Sequence, residues 1–135
     1  MIVLDTNIII RHLTQEPADQ GKAASRLLAS ADSLFLTDVI AAETVHVLQS
    51  VYKAPPQTIA AALRALLAMR SVTAEHSQVL RRSIDLYETH HMDFTDAYLV
   101  AAAESIGATQ VASFDRGIDK AVAKASTVKR LDPLA

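Results

Sequence analysis

Four short apolar runs, each closed by polar or helix-capping residues, constrain this chain more than any other feature. Ile2-Val3-Leu4, Ser33-Leu34-Phe35-Leu36-Thr37, Ser71-Val72-Thr73-Ala74 and Thr109 to Phe114 have the length of strands, and helical stretches separate them. A strand that returns through a helix runs parallel to its predecessor, and a parallel sheet is covered by those helices. The expectation is an α/β fold: a single domain over residues 1–135, with a central parallel sheet of four to five short strands flanked by helices on both faces. Half of the 135 residues are apolar, enough to bury a core.

The helices between the runs have readable limits. Asp5 or Thr6 caps a helix through Ile8, Ile9, Ile10 and Leu13, and Pro17 opens a second, from Ala18 to Ala31. Asp38 caps a third, from Val39 to about Tyr52, with apolar positions Ile40, Val47, Leu48 and Val51. Pro55-Pro56 stops it, and Gln57 to Met69 form the next, with Ile59, Leu63, Leu66 and Leu67 in its apolar stripe. Ser77 to about His90 make another. Thr95 or Asp96 begins a helix through Ala103 and Ile106 that Gly107 closes in the left-handed conformation. A short helix from Ile118 to Ala125 and an edge strand at Thr127-Val128-Lys129 complete the chain.

Composition removes several function classes. With no cysteine there are no disulfides, thiolate metal sites or thiol nucleophiles. Three glycines provide no phosphate-cradling loop. The N-terminal apolar run is too short for a signal peptide, and the longest apolar stretch, Ala97 to Ala103, is too short to cross a bilayer. The expected location is the cytoplasm, with no membrane partner. The net charge of −2 looks unfavourable for a polyanionic substrate, but five acids are candidates for a cation site. Setting them aside gives −2 + 5 = +3.

Those acids are the chemical content of the sequence. Ligands of an open parallel sheet gather at the carboxyl ends of its strands. Asp5 ends the first strand, Asp115 ends the fourth, Glu43 lies early in the helix after the second, and Asp96 starts the helix before the fourth. Crowded carboxylates need a compensating charge, and a hard, oxygen-preferring cation, Mg²⁺ or Mn²⁺, supplies it. Metals held this way can activate water and stabilise the leaving oxygen of a phosphodiester. Asp93, three residues before Asp96, faces the same way on a continuous helix. Each acid also has an ordinary reading: Asp5, Asp93 and Asp96 as caps, Glu43 as a solvated helix residue, Asp115 as the opening of the turn Asp115-Arg116-Gly117.

Val3-Leu4-Asp5-Thr6-Asn7 resembles the opening of PIN-domain nucleases, especially the VapC-like toxins. Asp93-Phe94-Thr95-Asp96, running into Ala101-Ala102-Ala103, is similar to that family's helix with an acidic pair, and Ala112-Ser113-Phe114-Asp115 is similar to its Thr-Phe-Asp strand end. Glu43 stands where the family has a helical Glu. The resemblance implies a metal-dependent endoribonuclease using Mg²⁺ or Mn²⁺, an RNA substrate, homodimerisation and inhibition by a cognate antitoxin. It implies Asp5, Glu43, Asp96 and Asp115 as catalytic metal ligands and Asp93 as an accessory acid. Thr6 and Asn7 match the small polar residues beside the first Asp, and Ser113 keeps a hydroxyl where Thr is usual. Arg11, Arg116 and Lys120 lie near the acids in sequence and can contact phosphates.

Rival readings within this family are an RNA-processing PIN nuclease without an antitoxin and an inactive PIN-like RNA-binding module. Outside it, Glu43-x-x-His46 and Glu88-x-x-His91 match the paired motif of di-iron helical bundles. The strands do not fit a bundle, and Glu16, Glu75 and Glu104 are poorly placed to complete it. An aspartyl-phosphate enzyme of the haloacid-dehalogenase type needs a second Asp where this chain has Asn7.

Overall fold

Leu34 and Leu36 are almost fully buried on either side of Phe35, and the first half of the chain is built around them. In the computed structural model, which describes residues 1–30, 32–120 and 125–135, the chain divides into two compact units, Met1–Ser77 and Gln78–Ala135.

The first unit holds a parallel sheet in the order β1-β2-β3, with β1 at Ile2–Val3, β2 at Leu34–Leu36 and β3 at Val72–Ala74. Four helices accompany it: α1 (Thr6–Thr14), α2 (Ala18–Ser30), α3 (Asp38–Ser50) and α4 (Pro56–Ala68). Ile9 and Ile10 of α1, Ala24 and Leu28 of α2, and Ile59, Leu63 and Leu66 of α4 are buried, the faces that helical periodicity marks. Ala31, the expected last residue of α2, lies outside the described residues. β1 differs from expectation. It is an edge strand, and Ile2 and Val3 are exposed while Leu4, just after it, is buried.

Two further corrections fall on α3. Its cap is Thr37, whose Oγ1 accepts from the Ile40 amide at 3.2 Å, and Asp38 is already in the first turn. Its buried face is Ala41, Thr44, Val45 and Leu48. Ile40 and Val47 are only half-buried and Val51 is exposed. Glu43 therefore stands one turn above Val47 on the half-covered flank, and its own side is exposed.

The second unit contains α5 (from Ser77, the last residue of the first unit, to His90), α6 (Phe94–Ile106), a 3₁₀ turn at Arg116–Lys120, and a parallel pair of β4 (Gln110–Ala112) and β5 (Lys129–Leu131). Leu86, Tyr87, Phe94 and Val100 are buried, and the Tyr87 and Phe94 rings meet edge to face at 5.8 Å. Gly107 closes α6 at φ 75°, where a side chain is strained. α6 begins at Phe94, one residue before the expected start at Thr95. Asp93 holds the N-cap position, in keeping with its reading as a cap, although its side chain makes no capping hydrogen bond. The short helix expected from Ile118 starts earlier, as the 3₁₀ turn, and residues 121–124 lie outside the described residues. The last strand is displaced two residues beyond the expected Thr127-Val128-Lys129, because the Val128 amide is taken by Ser126 Oγ and the ladder begins at Lys129. Among the described residues the five strands are all parallel, as expected of the α/β class, and hydrogen-bond as a triplet and a pair.

An ion pair ties α5 to α6. The Arg82 guanidinium donates from Nε and Nη2 to Glu104 at 2.8 and 3.0 Å, and from Nη2 to the Ala125 carbonyl at 2.6 Å. Ser126 Oγ donates to the same carboxylate at 2.7 Å.

Candidate metal centre

In the first unit the chain turns sharply from β1 into α1, which leaves Asp5 at the helix N-cap with its backbone extended. Its side chain makes no capping hydrogen bond, so the capping role is not the one it fills. Thr6, buried immediately behind it, donates its hydroxyl to Glu43 Oε2 at 2.9 Å. That bond spans 37 residues and joins the start of α1 to the second turn of α3. A hydroxyl fixed on a buried side chain orients the Glu43 carboxylate. Asn7 is exposed in the first turn of α1, and Arg11 Nε is engaged by Gln20 at 3.0 Å.

In the second unit Asp96 and Asp115 are neighbours beside Gly117, and Asp93 acts on Asp96 through its charge. Among the described residues the three do not form a group with one ligand atom each within 4.8 Å. Asp96 sits in the first turn of α6 and is only 7% exposed, while Asp93 and Asp115 are exposed. Burial pushes the Asp96 carboxyl above its ordinary pKa, and the charges of Asp115 and then Asp93 push it further, against a smaller opposing effect of Lys120. The Lys120 ammonium is itself held by the His91 carbonyl at 3.3 Å.

Asp115 is set by local turn chemistry. Its amide donates to Ser113 Oγ at 2.9 Å, and its Oδ1 accepts from the Gly117 amide at 2.8 Å. Ser113 in turn is pinned from the other side. Its amide donates to the Leu131 carbonyl at 3.1 Å, and its carbonyl accepts from Arg130 Nη1 at 3.0 Å. The Arg130 side chain is 8% exposed and also pairs with Asp119. The turn reading of Asp115 is therefore real and leaves Oδ2 out of the turn.

Asp96 and Asp115 offer a cation oxygen donors from two adjacent carboxylates. A Cβ added to Gly117 would lie 2.6 Å from Asp96 Oδ2 and 3.1 Å from Asp115 Oδ1, so both carboxylates border a space that only hydrogen occupies. Oxygen-only donors with this much mutual repulsion suit a hard divalent ion, not a soft one.

Sequence reasoning overlooked two features. Phe114, beside Asp115, is 68% exposed, although large aromatics are few in this chain. Asp38, Glu75 and His76, after β2 and β3, place one potential ligand atom each within 4.8 Å of one another. Their existing bonds account for them: His76 Nδ1 meets Asp38 Oδ2 at 2.6 Å, and Glu75 Oε1 accepts from the Asp38 amide at 3.0 Å. Asp38 raises the His76 pKa, so this ion pair is fully formed below the ordinary histidine range and fades as pH rises through the raised value. The 37 and 38 residues separating these partners hide them from any local pattern. A cavity of about 630 Å³ in the first unit is lined by His12, Ser25 and Arg70 among others, and none of the candidate ligands is among its lining residues.

The family model for the PIN domain matches residues 2–124, nearly the whole chain. The chain belongs to the PIN-domain family. PIN domains are metal-dependent nucleases that work with divalent ions, which is the chemistry that the oxygen-only acids of this PIN protein suit. The match runs from β1 into the residues after the 3₁₀ turn and so includes all five acids. No curated protein matched the chain. Among the described residues of this PIN protein, no helix is long and apolar enough to cross a membrane.

Proposed function

We propose that this PIN protein is an endoribonuclease, a single domain over residues 1–135, with Asp5, Glu43, Asp96 and Asp115 as ligands of Mg²⁺ or Mn²⁺. The observation that carries the proposal is the buried Asp96 carboxylate beside Asp115 in a chain of this family. When bound, the cation supplies an activated water and charge stabilisation for the leaving oxygen. The chain's own residues do the rest. Thr6 orients Glu43, Ser113 and Gly117 hold Asp115, and Asp93 adds negative charge beside Asp96. Asn7 supports the first acid, Arg11, Arg116 and Lys120 contact the phosphates of RNA, and Phe114 offers an exposed ring to an unstacked base.

The biological role that motif resemblance favours is that of a cytoplasmic toxin. It acts as a homodimer and is silenced by a cognate antitoxin. Purified wild-type protein is expected to cleave total cellular RNA with Mn²⁺ or Mg²⁺, and Asp5→Asn to lose at least about 100-fold of that activity. Equal cleavage by both proteins, or none by the wild type across many RNAs, overturns the nuclease reading. Growth arrest on expression, relieved by a small protein encoded just upstream, tests the toxin role separately.

Thr6→Val keeps the shape of the buried side chain and removes its hydroxyl. Cleavage is expected to fall about 10-fold, the usual effect of losing a group that orients a ligand. The rate measured at saturating Mn²⁺ checks this, since an effect only on metal affinity would vanish there.

A further inference from the structure

We propose that Gly117 is a positioning residue of the metal centre, required because it has no side chain. This rests on the metal-nuclease reading and deepens it. Two facts about the position point in the same direction. Its amide donates to Asp115 Oδ1 at 2.8 Å, fixing one oxygen of that carboxylate. Its missing Cβ would stand 2.6 Å from Asp96 Oδ2 and 3.1 Å from Asp115 Oδ1. A contact of 2.6 Å is well inside van der Waals separation, so one partner has to move.

The usual reason for glycine does not apply here. Gly117 lies in the 3₁₀ turn Arg116–Lys120 without a positive φ, a conformation open to any L-residue. Alanine would keep the backbone conformation and the amide donor. The one thing it changes is the space beside the carboxylates. The atom it would meet first is a side-chain oxygen, which yields by rotating the Asp96 carboxylate. The cost therefore falls on the direction of a ligand oxygen and not on the fold. Sequence alone presents Asp115-Arg116-Gly117 as an ordinary turn, in which glycine needs no further cause.

The test is Mn²⁺ binding by calorimetry and metal-free thermal unfolding of wild type, Gly117→Ala and Gly117→Val. Gly117→Ala is expected to weaken Mn²⁺ binding about 10-fold or more, the range seen when a supporting group is disturbed, with the metal-free melting temperature within about 2 °C of wild type. Gly117→Val is expected to weaken it further. Mn²⁺ affinity within twofold of wild type in Gly117→Ala overturns the inference. If Gly117→Ala instead loses stability, the same change is made in Asp96→Ala, which lacks the oxygen in the way. The loss is then expected to disappear, and an equal loss in both backgrounds overturns the proposal. A wild-type protein that binds no Mn²⁺ overturns the metal-centre reading and this inference with it, an outcome distinct from unchanged affinity in Gly117→Ala, which overturns the inference alone.

Discussion

Replacing Asp96 with asparagine is expected to raise the melting temperature of the metal-free protein while abolishing its response to Mn²⁺. At neutral pH the native protein holds a buried carboxylate against the charges of Asp115 and Asp93. A carboxyl whose native pKa is raised stabilises the fold in acid, and that contribution is lost as pH rises through the raised value. Asparagine removes the charge. The relief is on the order of 1 kcal/mol, or about 3–5 °C for a domain of this size. The gain is expected near pH 7.5 and is expected to shrink as pH falls and wild-type Asp96 takes up its proton.

Mn²⁺ reverses the ranking. Ligand at 100 times its Kd stabilises a native state by about 2.7 kcal/mol, so wild type overtakes the variant once metal is added. RNA cleavage by Asp96→Asn is expected to drop at least about 100-fold. Melting curves with and without Mn²⁺ at pH 7.5 and in acid check each part. A variant less stable than wild type without metal would show that Asp96 serves the fold and not the ion.

The second large effect is structural. Arg82→Ala is expected to destabilise the protein by about 1–2 kcal/mol, the lower part of the range for a forked, charge-assisted pair because both side chains are about a third exposed. It removes two bonds to Glu104 and the donor to the Ala125 carbonyl, leaving the Glu104 carboxylate with Ser126. Arg82→Lys is expected to recover less than half of the loss, since an ammonium does not reproduce the fork. Arg82 lowers the Glu104 pKa, so the pair's stability is present above the ordinary carboxylate range and is lost as pH falls through the depressed value. The difference between wild type and Arg82→Ala therefore narrows in acid. Urea unfolding at pH 7 and pH 3 measures it.

What could be read in advance followed from chemistry that is local in the chain. α5 was legible to the residue, and Gly107 was placed correctly because a helix end has its own residue preferences. The buried face of α3 was misplaced because its small members, Ala41 and Thr44, do not look apolar beside Ile40 and Val51. Burial there is set by how closely neighbours approach. The five acids were visible as residue types at strand and helix ends. Their supports were not. The Thr6 hydroxyl finds Glu43 across 37 residues, and the space beside Gly117 exists only once Asp96 and Asp115 are folded around it.

The Arg130 guanidinium carries one more consequence. The family match ends at residue 124, and every proposed ligand lies before that point. Arg130 lies after it and grips the Ser113 carbonyl, two residues from Asp115. A chain trimmed to the matched stretch would retain every ligand and lose this strut. The tail beyond the family match thus braces the turn that carries Asp115, and the support of the last proposed ligand extends past the recognisable stretch.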